Sequence, residues 1–283
     1  MLVAAALFAA MGAFAKSLGT QFTGAELSMY RSLVAFAIIG ALVMARRYSV
    51  RTPHWKSHFW RGLTGTISLV MYFYAITKLP LATAIMLNYT SPLWLTVLST
   101  VILRERFRPL LLAAVVLGFI GIALLLRPTF AAENSHAGFI GLASGFFAAC
   151  AYVNVKKLGD AGEPEWRVVF YFGVAGLLGS ALVELFWIGK FHPVTTLNMG
   201  PLVAMGIAAT LAQLAMTRAY HSGNTLVVGA FAYTTVIFSA LIGWLVFDET
   251  LPPIAWLGMG IIVASGLLAK YASTKIPAPI EGD

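Results

Sequence analysis

Residues 81–128 read LATAIMLNYTSPLWLTVLSTVILRERFRPLLLAAVVLGFIGIALLLRP. Two apolar runs, 81–103 and 109–127, flank the short basic segment Arg104-Glu105-Arg106-Phe107-Arg108. Crossing a bilayer as a helix takes roughly 20 mostly apolar residues, and each run is of that order. Neither alternates polar with apolar as a strand of a membrane barrel does. Similar runs lie at 2–18, 23–45, 58–77, 136–157, 165–188, 198–217, 225–247 and 252–271. Pro53, Pro80, Pro109, Pro128 and Pro252-Pro253 mark their ends, where a missing N–H costs nothing. Hydrophobic residues make up 59% of the chain and charged residues 11%, against ~25% charged in soluble domains. A mean hydropathy of +0.84 leaves no room for a sizeable water-facing domain. The expectation is an all-α integral membrane protein with ten transmembrane helices.

The same composition removes several classes of function. Cys150 is the one cysteine, so no disulfide or cysteine-based metal site forms within the chain. His54, His58, His136, His192 and His221 are scattered, with no pair at metal-ligand spacing on a helix. No catalytic residues, metal or cofactor are expected. The net charge of +8 is read as topology rather than as nucleic-acid binding. Leu2 to Ala15 is short and ends in a small-x-small triplet, but it lacks the basic flank of a signal peptide and is read as the first span. With a cytoplasmic N-terminus, the inside loops and tail carry Arg46, Arg47, Arg51, Lys56, Arg61, Arg104, Arg106, Arg108, Lys156, Lys157, Arg167, Arg218, Lys270 and Lys275, or 14 of the 19 basic residues. Outside loops carry only Lys78, Arg127 and Lys190. That bias places both termini in the cytoplasm of a bacterial-type inner membrane.

The two halves of the chain echo each other. Phe8-Ala9-Ala10-Met11 returns as Phe147-Ala148-Ala149-Cys150, and Lys16-Ser17-Leu18-Gly19 as Lys156-Lys157-Leu158-Gly159. Met29-Tyr30-Arg31 falls where Glu165-Trp166-Arg167 stands in the second half. Further on, a shift of 144 pairs Ala75 with Ala219, Tyr89-Thr90 with Tyr233-Thr234, Glu105 with Glu249 and Pro109 with Pro253. Residues 1–128 and 136–271 are therefore read as two five-helix repeats, and 272–283 as a disordered cytoplasmic tail. Five spans are an odd number, so the second repeat enters the membrane inverted. Inverted repeats serve alternating access around a site near the midplane.

Tyr30-Arg31 early in the second span, Tyr74-Ala75-Ile76 closing the third, Leu87-Asn88-Tyr89-Thr90-Ser91-Pro92 with Leu103-Arg104-Glu105-Arg106 in the fourth, and Phe247-Asp248-Glu249-Thr250 closing the ninth resemble the drug/metabolite transporter superfamily, in its ten-span EamA family. The resemblance covers nearly the whole chain. It implies ten helices in two inverted repeats and transport of small metabolites, among them amino acids, their derivatives, nucleoside-like compounds and drugs. Asn88-Tyr89 is similar to a segment lining the central cavity in amino-acid-exporting members. The second half departs from it, with Ala232-Tyr233-Thr234-Thr235-Val236 and no proline, which implies an asymmetric site.

Charge and polarity inside the spans nominate the substrate-binding residues. Arg31 lies about eight residues into its span, roughly 12 Å deep. It either receives an anionic group in its planar fork of donors, or pairs with Glu26 or Glu184, or caps carbonyls of a neighbouring helix. Lys16 is nearer the outer surface and can snorkel. Pro92, placed mid-span, is expected to kink the fourth helix and free the carbonyl of Asn88. Asn88, Ser91, Leu95 and Ser99 share one helical stripe, with Tyr89 and Trp94 beside it; the stripe either lines a cavity or bonds neighbouring helices. Tyr72, Tyr152, Asn154, Gln213 and Tyr233 are the remaining polar or aromatic residues offered to a ligand, or else to packing. No Asp or Glu stands at mid-bilayer, which argues against proton-coupled export of cationic drugs.

The expected activity is alternating-access carriage of a small zwitterionic metabolite, such as an amino acid or an amino-acid derivative, with export the expected direction. Uptake or exchange of a nucleoside-like metabolite of the S-adenosylmethionine type is the alternative within transport. An intramembrane enzyme is the alternative outside it, and the scattered histidines count against that. The expected partners are the small-molecule substrate and the lipid bilayer, not nucleic acid, with the chain a monomer or weak homodimer.

Overall fold

The computed structural model describes residues 1–79, 81–103, 109–126, 135–246, 248 and 252–274. Most of the tail expected to be disordered, and the basic segment 104–108, lie outside the described residues. Twelve helices are described: α1 (Leu2–Leu18), α2 (Gly24–Arg46), α3 (Trp55–Lys78), α4 (Leu81–Asn88), α5 (Ser91–Ile102), α6 (Pro109–Leu126), α7 (Ser135–Asp160), α8 (Glu165–Val183), α9 (Thr196–Ser222), α10 (Thr225–Ala232), α11 (Thr234–Val246) and α12 (Pro253–Thr274). A π-helical turn, Glu184–Ile188, continues α8 and closes on Gly189 at φ 69°, a left-handed conformation that glycine adopts without strain.

Among the described residues, six runs are long and apolar enough to cross a membrane by length and composition: Gly24–Arg46, His136–Asp160, Glu165–Ile188, Thr196–Ser222, Thr225–Val246 and Pro253–Ala272. The helices over Leu2–Leu18 and Pro109–Leu125 are apolar but shorter. Large apolar side chains stand exposed on the outside of these helices, among them Val101, Phe139, Leu182, Leu211 and Val263. So much exposed apolar surface belongs against lipid rather than water.

The sequence supplies the helix ends. Asn224 Oδ1 accepts from the backbone N–H of Leu226 at 3.1 Å and of Val227 at 3.2 Å, a side-chain cap for α10. Thr195 and Asn198 form a capping box at α9, with Asn198 Oδ1 accepting from Thr195 N at 2.8 Å. Where two helices must touch closely, glycine stands at both sides. A Cβ on Gly121 would fall 2.9 Å from the Gly258 oxygen, and one on Gly258 would fall 2.7 Å from the Gly121 oxygen. This contact joins α6 to α12, and Leu111, Ala114, Val115, Ile122, Met259 and Ile262 fill the core around it.

The fourth and ninth apolar runs differ from expectation, because each is broken. Pro92 sits in the first turn of α5, and the break falls before it, at Tyr89-Thr90. Proline is pre-shaped to start a helix, so a kinked single helix becomes two helices in series. The ninth run breaks at Tyr233 without any proline. The missing proline, which implied an asymmetric site, does not spare the ninth run from breaking. A shared side chain explains the likeness: Thr90 Oγ1 donates to the Leu87 carbonyl at 2.7 Å, and Thr234 Oγ1 donates to the Phe231 carbonyl at 2.7 Å. In each case a threonine hydroxyl takes a carbonyl that the interrupted ladder leaves under-bonded.

Helix neighbours follow a matched pattern. α3 packs on α7 as α1 packs on α9, and α3 on α8 as α2 on α9. α4 and α5 pack on α7, and α10 and α11 on α1. α2 pairs with α8, and α6 with α12.

Candidate functional site

α2 starts at a capping box in which Thr23 Oγ1 accepts from Glu26 N at 3.1 Å and Glu26 Oε2 accepts from Thr23 N at 2.8 Å. The Glu26 carboxylate also accepts from the backbone N–H of His192 at 2.6 Å and lies 2.8 Å from His192 Nδ1. Glu184 Oε2 accepts from Thr23 Oγ1 at 2.7 Å. Both glutamates are fully buried. They tie the start of α2 to the π turn and to the segment before α9, and neither pairs with Arg31.

Arg31 is therefore left without a carboxylate among the described residues. It is 7% exposed, and its Nε has no hydrogen-bond partner. A second arginine shares its aromatic neighbour, Phe172. Arg61, on α3, is 2% exposed, and its Nε and Nη1 have no hydrogen-bond partner. The guanidinium carbons of Arg61 and Arg31 stand 3.9 Å and 5.7 Å from the ring centroid of Phe172 on α8. Gly65, one turn along α3 from Arg61, makes this possible. A Cβ there would collide with Arg61 Nη1 and fall 2.8 Å from Phe172 Cε2. Counting Arg61 among the cytoplasmic loop residues is thus corrected: it is an interior residue, folded back along its own helix.

Tyrosines extend the site from the arginines toward the two helix breaks. Tyr152, on α7, lies near both Arg31 and Arg61. Its ring stacks on Tyr220 with centroids 5.2 Å apart and planes at 17°. Tyr89, at the first break, meets Tyr233, at the second, with centroids 6.5 Å apart. Tyr72 and Tyr152 lie near Tyr89. Tyr72, Tyr89 and Tyr152 keep part of their surface accessible although they lie among interior helices. Gln213 on α9 is 4% exposed, with its Nε2 unpartnered. It lines, with Arg31, Ser32, Phe172 and Thr210, a cavity of about 10 Å³, roughly the room one water needs.

The structure thus brings Arg31, Tyr72, Tyr89, Tyr152, Gln213 and Tyr233 into one connected region. Other residues nominated from sequence are engaged elsewhere. Asn88 Nδ2 donates to Ser144 Oγ at 3.0 Å, and Ser144 Oγ donates to the Gly141 carbonyl at 2.6 Å, so this side chain joins α4 to α7. The Asn88 carbonyl faces Gly145, where a Cβ would lie 3.0 Å from it. Trp94 meets Phe146 edge to face, at 5.6 Å and 89°. Asn154 Nδ2 donates to the Cys150 carbonyl of its own helix at 2.9 Å. Lys16 is exposed in the last turn of α1. Sequence reasoning missed Arg61, Phe172 and Tyr220. The usable signal for Arg61 was its position three residues inside an apolar run, with Gly65 four residues on.

At the other end of α8, Glu163 gathers a separate polar cluster. Its carboxylate accepts from Thr52 Oγ1, from Arg167 Nη1 at 2.8 Å, and lies 3.4 Å from His58 Nε2. Arg167 Nη2 reaches the Ser49 carbonyl at 2.8 Å, and the Tyr171 hydroxyl the Val50 carbonyl at 2.9 Å. Burial raises the Glu163 carboxyl, but the bonds from Thr52, Arg167 and His58 outweigh it and hold the group below the usual carboxylate range. The cluster pins the α2–α3 connection to the start of α8.

The model of the EamA-like transporter family matches residues 1–127 and 137–270. The chain is 28% identical to a pseudopaline exporter of Pseudomonas aeruginosa, over 95% of this chain and 93% of that protein. It is 29% identical to a riboflavin transporter of Vibrio cholerae, over 97% and 93%. It is 22% identical to an S-adenosylmethionine uptake transporter of Rickettsia prowazekii, over 92% and 87%. A solved crystal structure aligns with a TM-score of 0.83 at 22% identity, covering 98% of each chain. The chain is a multi-pass membrane transporter that belongs to the EamA-like transporter family.

Proposed function

We propose that the protein is an alternating-access carrier that exports a small zwitterionic metabolite, an amino acid or an amino-acid derivative, across a bacterial inner membrane. In this reading α4 with α5, and α10 with α11, each make one crossing, so that the chain crosses ten times. Residues 1–128 and 136–271 form inverted repeats, with the tail and both termini cytoplasmic. The matched helix neighbours and the twin threonine bonds support the repeat. Moving Arg61 to the interior still leaves 13 basic residues inside against three outside.

The observation that carries the proposal is Arg31, a buried cation with no carboxylate partner among the described residues, next to tyrosines that reach both helix breaks. A buried charge needs a counter-charge, and a substrate carboxylate supplies one in bidentate geometry. The tyrosines give the rest of the ligand an apolar surface with polar tips. Exporter activity in the Pseudomonas relative supports the direction.

Solute counterflow in proteoliposomes tests the proposal. Vesicles preloaded with unlabelled amino acids or derivatives are expected to accumulate the labelled compound transiently, and Arg31→Gln to abolish this. A nucleoside-like substrate is the second reading, favoured by the ring-stacking surface of Tyr152 and Tyr220 and by the Rickettsia relative. Counterflow of S-adenosylmethionine with none for amino acids would select it. Chemical conversion of a compound without net movement would point instead to an intramembrane enzyme.

A further inference from the structure

We infer that Arg31 and Arg61 act together as a two-point anion site, and that the transported metabolite carries two carboxylates, one for each guanidinium. The inference rests on the carrier reading and narrows its substrate from a neutral zwitterion to a net anion.

The starting point is a charge imbalance. Arg31 and Arg61 are 7% and 2% exposed, and both stand over the same Phe172 ring. Like charges gathered about one ring raise each other's cost, and removal from water raises it further. A single benzyl ring offsets little of this, because one face supplies only a weak attraction to a cation. Glu26 is committed to Thr23 and His192, and Glu163 to Thr52, Arg167 and His58; Glu184 holds Thr23 with Oε2 and leaves Oε1 unpartnered, and it pairs with no arginine among the described residues. The hydroxyl of Tyr152 is the shared polar neighbour, and a neutral hydroxyl cancels no charge.

Three guanidinium donors remain unused: Nε of Arg31, and Nε and Nη1 of Arg61. Donors left open at this depth are matched by a ligand that brings acceptors with it. Arg61 is also built into its place, since Gly65 removes the one side chain that would block it. A structural arginine whose task was to reach solvent or a headgroup would extend toward its helix end instead. Two cations spread over two helices, α2 and α3, fit two carboxylates on one molecule better than one. The cavity beside Arg31 admits about one water, so the dicarboxylate enters as the helices around Phe172 part.

Charge-matched pairs test this with the full chain purified in detergent. L-Glutamate is compared with L-glutamine, and succinate with succinamate, by melting temperature and by calorimetric titration. Inorganic phosphate is a further arm, which separates a dicarboxylate from a single doubly charged group. The dicarboxylates are expected to stabilise the protein and to bind about ten-fold or more tightly than their amides. Arg61→Gln and Arg31→Gln are each expected to erase that difference. Arg61→Lys, which keeps the charge and loses the fork, is expected to weaken it, and it serves if the glutamine variant does not fold. Equal binding of acid and amide, binding of phosphate alone, no dicarboxylate binding at all, or discrimination untouched in the Arg61 variants overturns the inference. The carrier reading fails differently: dicarboxylates bind in detergent, but no compound shows counterflow. Counterflow of glutamine-type compounds, indifferent to Arg61→Gln, keeps the carrier and removes the second anion point.

Discussion

Arginine and lysine carry the same charge, and Arg31 separates them by geometry. Its planar fork has no hydrogen-bond partner at Nε and no ion pair among the described residues. Arg31→Lys is expected to cut counterflow about ten-fold or more while moving the melting temperature by only a few degrees, roughly 3 °C. Parallel loss of both would make Arg31 a packing residue. Glu163 is the opposite case, a charge whose partners are all present. Glu163→Gln, read by melting in detergent, is expected to lower stability by about 2 kcal/mol, because Arg167 and His58 lose a charged acceptor. Its carboxyl is held below its unfolded value, so its contribution is complete above about pH 4.3 and fades as pH falls through the lower, folded value. The gap in melting temperature between wild type and Glu163→Gln is therefore expected to narrow below pH 4, and a constant gap would contradict the assignment. Arg31 was legible in the sequence because a charge inside an apolar run is conspicuous. Arg61 was not, because it follows Arg46, Arg47, Arg51 and Lys56 and was absorbed into a basic loop. Nothing local reveals that its side chain folds back over Gly65 onto Phe172, which is far away in sequence.

The two broken helices bring residues distant in sequence to one place. Tyr89 and Tyr233 meet because α4 and α10 both end there and both chains restart at a threonine bond. Gly145 holds the first break against α7. A Cβ on it would strike Thr90 Oγ1 and lie 2.9 Å and 3.0 Å from the carbonyl oxygens of Leu87 and Asn88. Gly145→Ala is expected to destabilise the protein by roughly 1–3 kcal/mol, measured as a lower melting temperature, since backbone must move to admit it. Gly138→Ala, on the same helix with open space around it, is expected to be near neutral and serves as the control. Helix positions were readable because apolar length and proline punctuation are local signals. Pro92 foreshadowed a kink in the fourth run, but nothing local marked the break at Tyr233-Thr234, where there is no proline. The role of Asn88 was equally hidden, because its partner Ser144 lies on α7.

At the scale of the molecule, alternating access requires that the region between the breaks open to one side at a time. The charge bias sets the frame: reporters of compartment fused near Lys78 and at the C-terminus are expected to read opposite sides, and agreement between them would remove the ten-crossing topology. The decisive measurement is accessibility at Ser91, which is 5% exposed and borders the first break. On a Cys150→Ser background, Ser91→Cys is treated with a membrane-impermeant maleimide in right-side-out and in inside-out vesicles, with and without a transported compound. Leu93→Cys, which faces the apolar core around α6 and α12, is the control. A midplane alternating-access site predicts that Ser91→Cys labels from one side, that the transported compound slows or redirects the labelling, and that Leu93→Cys stays unreactive. Equal labelling at both positions, or labelling indifferent to every transported compound, would contradict it.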